Sequence, residues 1–212
     1  KKFDKNGSSV SLIDVIGEWK NYTKDIIAED IGLIKLSKFD LSEFFPIIGF
    51  FKIKFVFLLI FFFKYLPLKK LIYREKPDFL IIHLVTSLPL ILLLMNSYNT
   101  KFILRISGLP KLSFLRRLIW KLTSKKIYSI TCPSIETKRD LIKQKIFAED
   151  KINVLYDPIL QIETIRNKIK EKNIIPDKDK NKYFLNIGRL TKQKNQLLLV
   201  SAFSKIKKKI VI

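Results

Sequence analysis

The chain has 212 residues and is 48% hydrophobic, enough to bury a sizeable core as one large domain or two smaller ones. Its 41 lysines and arginines against 19 aspartates and glutamates leave a net charge of +22, which invites an acidic partner: nucleic acid, an anionic membrane surface or a phosphorylated substrate. The single cysteine, Cys132, excludes an internal disulfide framework and a cysteine-built zinc site, and nothing else in the chain reads as a metal site.

The chain opens KKFDKNGSS, with no apolar stretch behind the lysines to make a signal peptide. Residues 9–16, SVSLIDVI, read as a strand. Residues 46–68, PIIGFFKIKFVFLLIFFFKYLPL, are apolar enough to suggest a membrane span, but Lys52, Lys54 and Lys64 interrupt them. The uncharged part, 55–63, covers about 14 Å as a helix, roughly half the bilayer core, although lysines that snorkel lengthen such a reach. A buried or interfacial helix is expected.

Residues 77–85, PDFLIIHLV, form a short apolar run with turn signals at its ends, the pattern of a strand covered on both faces. A helix is expected over 88–96, a strand over 102–106, FILRI, and another helix over 114–122. Strands alternating with helices predict an α/β fold with a parallel sheet, in which ligands sit at the carboxyl ends of the strands. His83, the only histidine, lies near one such end, and the Ser107-Gly108 turn follows another. Both positions are candidates to face a cleft between domains. His83 also reads as a core residue of an apolar strand. Gly108 either lets a ligand approach the backbone closely or permits the turn before Pro110.

In the segment 112–126, Leu115, Leu118, Ile119 and Leu122 share a helical face, with Arg116, Arg117, Lys121, Lys125 and Lys126 around it. This is the pattern of a membrane-surface helix, and equally of a core-facing helix with a solvated basic side. Further on, Ser134 is placed to cap a helix over 137–146, with Leu141, Ile142 and Ile146 at helical spacing. Residues 151–156 read as a strand stopped by Asp157-Pro158. From 161 to 182, Lys, Asn, Asp and Glu dominate, as in a linker or hinge.

The most informative stretch comes last. In YFLNIGRLTKQK, residues 183–194, an apolar strand stops at a glycine and basic residues follow, before a helical pattern over about 196–209. A glycine turn, the positive end of a helix dipole, and a fork-shaped and a point cation suit a phosphate-bearing ligand. Gly188, Arg189 and Lys194 are the candidate phosphate-binding residues.

Gly188-Arg189-Leu190, Lys194 and Ala202-Phe203 resemble the donor-binding loop of glycosyltransferase family 4, retaining enzymes of the GT-B fold. Residues 131–160 resemble the end of that family's first domain, and 9–16 its second strand. The resemblance implies two Rossmann-like domains with helices on both faces of each parallel sheet. Residues 1–160 would form the acceptor-side domain, lacking its first strand, 161–182 the hinge, and 183–212 the start of the nucleotide-sugar domain. It implies transfer of a sugar from a nucleotide-sugar donor to a glycan or lipid-linked acceptor, without cofactor or metal. Arg189 and Lys194 would contact the donor's phosphates, and Ser107 and Gly108 would lie on the acceptor side. His83 loosely matches a histidine of the family and is the candidate catalytic residue, whereas Ser107-Gly108 stands where the family often has a histidine. The setting implied is the cytoplasmic face of a bacterial membrane during polysaccharide or glycolipid assembly, with an anionic membrane surface as a partner. No carboxylate follows Asp179, so the family's downstream glutamate pair has no counterpart and the chain is expected to be an inactive fragment.

Two other classes compete. A nucleic-acid module is disfavoured because the aromatics cluster in an apolar block instead of interleaving with basic residues. A small basic protein associated with or spanning a membrane, without catalytic activity, is the remaining alternative.

Overall fold

Short runs rich in Ile, Leu and Phe pair as strands, and every described pairing is parallel. The computed structural model describes residues 7–15, 31–36, 50–84, 86–108, 112–157, 162–170, 184–191, 194–205 and 210–211. The chain divides into two compact units, residues 1–157 and 158–212.

The first unit begins with a parallel pair, β1 (Ser11–Asp14) and β2 (Gly32–Lys35). The helix α1 (Phe50–Glu75) leads to a four-stranded sheet whose order follows the sequence: β3 (Phe79–Ile82), β4 (Lys101–Arg105), β5 (Ser129–Cys132) and β6 (Ile152–Val154). The helices α2 (Ser87–Met95), α3 (Phe114–Thr123) and α4 (Ile135–Lys143) connect them in turn. This is an α/β architecture of parallel sheets flanked by helices, consistent with a Rossmann-like fold.

Residues in register on parallel neighbours share a face, and here that face is apolar. Ile82, Phe102, Leu104, Ile130, Cys132 and Ile152 are all buried, in one core with Leu90 and Leu92 of α2 and Trp120 of α3. The opposite face differs. Phe79 and Ile81 are exposed, so among the described residues β3 is covered on one side only. The register supplies the reason: Phe79 pairs with Lys101, whose ammonium lies 5.4 Å from the Phe79 ring centroid and 4.9 Å from that of Tyr128. A cation resting on aromatic faces stays close to water.

The apolar segment 46–68 is helical from Phe50, but the helix runs on through Pro67 to Glu75. It closes where Lys76 takes a positive φ of 43° and its N–H donates to Ile72 O at 2.9 Å. Ile60, Leu68, Leu71 and Ile72 are buried, while Phe55, Leu58, Phe62 and Leu66 are exposed. Lys64 does not snorkel outward. It is only 2% exposed and turns to the inner side. Among the described residues no helix is long and apolar enough to cross a membrane.

Polar side chains close the helix ends. Ser113 accepts from Arg116 N at the start of α3, and Ser134 accepts from Thr137 N at 3.2 Å at the start of α4. Lys126 Nζ donates to Leu93 O and Leu94 O at the end of α2. Lys151 Nζ donates to Ser124 O, Lys125 O and Ile127 O, at 3.1, 2.9 and 2.7 Å, just beyond the end of α3. Each ammonium meets orphan carbonyls and the negative end of a dipole.

The second unit pairs β7 (Phe184–Leu185) with β8 (Ile210–Val211) around α6 (Gln196–Ser204). Within the stretch expected to be a linker, α5 (Ile162–Lys170) is helical and exposed throughout. The expected helix over 196–209 is described only to Lys205, since 206–209 lie outside the described residues.

Candidate functional site

Two strand ends meet in the first unit. His83 follows β3 and Ser107 follows β4, and because these strands are parallel neighbours their carboxyl ends lie side by side. His83 Nε2 and Ser107 Oγ share a 2.8 Å hydrogen bond, the donor depending on the imidazole tautomer. Both residues are exposed. The reading of His83 as a core residue is therefore corrected: the strand ends before it, and the ring stands at the sheet's rim. Leu84, immediately after, holds a positive φ of 61° with its side chain 75% exposed. A leucine rarely adopts this left-handed conformation, and such backbone strain concentrates at functional positions. No sequence signal marks it, because leucine is not a residue that favours positive φ.

Gly108 stands next to this pair with nothing within 4 Å of where a Cβ would be, and it lacks a positive φ. Its backbone is open to approach, and its turn does not depend on glycine. Leu109 and Pro110 lie outside the described residues.

Arg105, at the end of β4, reaches across β5 to the segment after β6. Its Nη1 donates to Leu155 O at 2.7 Å, and its Nη2 pairs with the Asp157 carboxylate. This ties down the turn that the sequence places at Asp157-Pro158. Two residues 52 positions apart gave no sign of the pairing.

The second unit carries the basic loop between β7 and α6. Gly188, Arg189 and Lys194 are all exposed on it. Gln196, buried at the first turn of α6, donates from Nε2 to Arg189 O at 2.7 Å and fixes the loop's path. Asn195 precedes the helix with φ 51° and ψ 43°, a conformation asparagine tolerates, and its side chain makes no capping bond. A Cβ on Gly188 would meet Gln196 Nε2 at 3.5 Å and Lys194 Cγ at 3.8 Å, ordinary contact distances, and its φ is not positive. The expectation that glycine is needed there for a tight turn is thus corrected.

Neither protein-family models nor curated proteins gave a match to this chain.

The remaining reactive groups are quiet. Cys132 is buried at the end of β5, and burial pushes its thiol up from the ordinary range, which disfavours the nucleophilic thiolate. Ser134 is engaged as a helix cap. Among the described residues no group of three or more His, Cys, Asp or Glu is arranged to hold a metal ion.

Proposed function

We propose that the chain belongs to a GT-B type glycosyltransferase resembling family 4, with the loop after β7 contacting the diphosphate of a nucleotide-sugar donor. The observation that carries this reading is the order of β7, a loop and α6, with Arg189 and Lys194 exposed on the loop and the helix opening behind them. In such a transfer the sugar bond breaks as negative charge grows on the departing diphosphate. Arg189 would grip two of its oxygens and Lys194 would add a point charge. Charges fixed in place before reaction cost no reorganisation as the transition state forms.

The His83 and Ser107 rim supports an acceptor role for the first unit. A hydroxyl-bearing acceptor finds there an imidazole and a hydroxyl, both able to donate or accept, beside the open backbone of Gly108.

Calorimetric titration with several nucleoside diphosphates tests the donor loop. Arg189→Ala and Lys194→Ala should each weaken binding by roughly 1.5 to 3 kcal/mol, the range for a charge-assisted contact. Lys192→Ala, at a neighbouring basic position outside the described residues, should cost much less. Equal affinity across the three variants, with folding unchanged, would remove the phosphate assignment.

A further inference from the structure

We propose that the apolar stripe of α1 between Phe55 and Leu66 pairs with the same stripe of a second copy of this chain. Phe55, Leu58, Phe62 and Leu66 recur every three or four residues, the spacing of a seam between paired helices, and Phe63 lies beside them. All of these side chains are exposed, Phe62 by 68%. The helix cannot roll to hide them, because its other side is engaged. Ile60, Leu68, Leu71 and Ile72 lie in the core, Tyr65 Oη donates to Met95 Sδ at 3.7 Å, and Asn96 Nδ2 donates to Tyr65 Oη at 3.4 Å.

Charge selects the occupant. From 55 to 66 the one charged residue is Lys64, and its inward turn leaves the stripe without a charge in a chain of net charge +22. A helix that rests on an anionic bilayer sets cations along its apolar face, and this stripe has none within it. A different protein would have to bring a matching stripe. A second copy already carries one, and a twofold contact sets the stripe against itself. Side chains of this size, about half exposed or more, offer about 500 Å² per copy and so about 1,000 Å² in a pair, the size at which specific contacts begin. A contact that small is reversible. Each copy is strongly basic, so pairing works against a mutual repulsion that salt relieves. The contact uses no residue of the donor loop or of the His83 rim, and it stands apart from the sugar-transfer reading.

The test is analytical ultracentrifugation of the full chain across micromolar concentrations. The chain should sediment as a monomer in equilibrium with a dimer, and the dimer should tighten as salt rises. Leu58→Ser combined with Phe62→Ser should raise its dissociation constant by about tenfold or more, because both side chains lose their apolar burial. Both positions are exposed, so the parent circular dichroism should be kept. If the double change disturbs the fold, Phe62→Lys alone gives the same test, since it sets an unpaired cation into the seam from each copy. Leu118→Ser, at an exposed position of α3, is the control and should leave the dimer as it is. A monomer at every concentration and salt, or a dimer indifferent to the changes in α1, would overturn the proposal. So would a dimer lost with Leu118→Ser alone, which would put the contact on α3. Binding to vesicles that needs Leu58 and Phe62, without self-association, would assign the stripe to lipid and overturn it as well.

Discussion

Tyr98 shows how a single group can bias the molecule against its own ionisation. It packs between Tyr73 and Phe102, with ring centroids 5.1 and 5.5 Å away, and its hydroxyl is buried without a hydrogen-bond partner among the described residues. Desolvation, reinforced by neighbouring Tyr73 and Tyr65, pushes its pKa from 10.0 up to about 12. The folded-state value lies above the unfolded one, so the neutral phenol's contribution to stability is complete below pH 10. It is lost as the pH climbs through about 12. Tyr98→Phe should remove that part of the alkaline loss, and at neutral pH it should leave stability unchanged or raise it by about 1 kcal/mol, since an unpaired buried hydroxyl is costly. Urea titrations at neutral pH and between pH 10 and 12 would show this. A variant clearly less stable than the parent at pH 7 would mean that the hydroxyl has a partner.

At the scale of the element, Lys151 is the most consequential side chain. Its three carbonyl contacts close the loop after α3, and the short 3-10 turn Glu149–Lys151 brings it there just ahead of β6. Lys151→Met keeps the stem but strands those carbonyls, and should cost about 2 kcal/mol in chemical denaturation. A loss no larger than that of an ordinary surface substitution would show that water replaces the ammonium. Local chemistry of this kind decides what can be read from a sequence. Ser134 as a cap, Leu141 as a core residue of the next helix, the strands through Phe102 and Ile152, and the parallel α/β class are legible because they rest on spacing within a few residues. The division of α3 into an inner Ile119 and an outer Leu118 is not legible. Both are apolar, and only the packing of α2 distinguishes them. Pro67 marks no boundary, and Lys64 turns inward where an isolated helix would send it to water. For the site, the sequence places His83 and Ser107 at strand ends, and the register of β3 with β4 brings them together. The strain at Leu84 and the hold of Gln196 on the Arg189 carbonyl depend on tertiary geometry and leave no trace in composition or spacing.

For the whole molecule, the net charge of +22 sits on a chain whose two units have different characters. The first has a contiguous core of Leu, Ile, Phe and Trp side chains. In the second, Leu197 and Leu198 of α6 and Ile162, Ile165 and Ile169 of α5 are exposed. Hydrogen exchange should accordingly be slowest in β4 and β5 and fast throughout α5, because exposed single helices have little tertiary packing to hold them closed.

The grip of Arg105 on Leu155 and Asp157 gives the first unit a mooring post. Whatever the following chain does, its movement begins downstream of that post, so β6 is shielded from the strain of anything pulling on residue 158 and beyond. Brief trypsin treatment should cut at Arg166, Lys168 or Lys170, and intact mass should show a stable product that still carries Asp157. With Arg105→Leu the post is gone, and trimming should run back to Lys151. A product ending at Lys151 from the unaltered protein would show that the end of the sheet frays without any help.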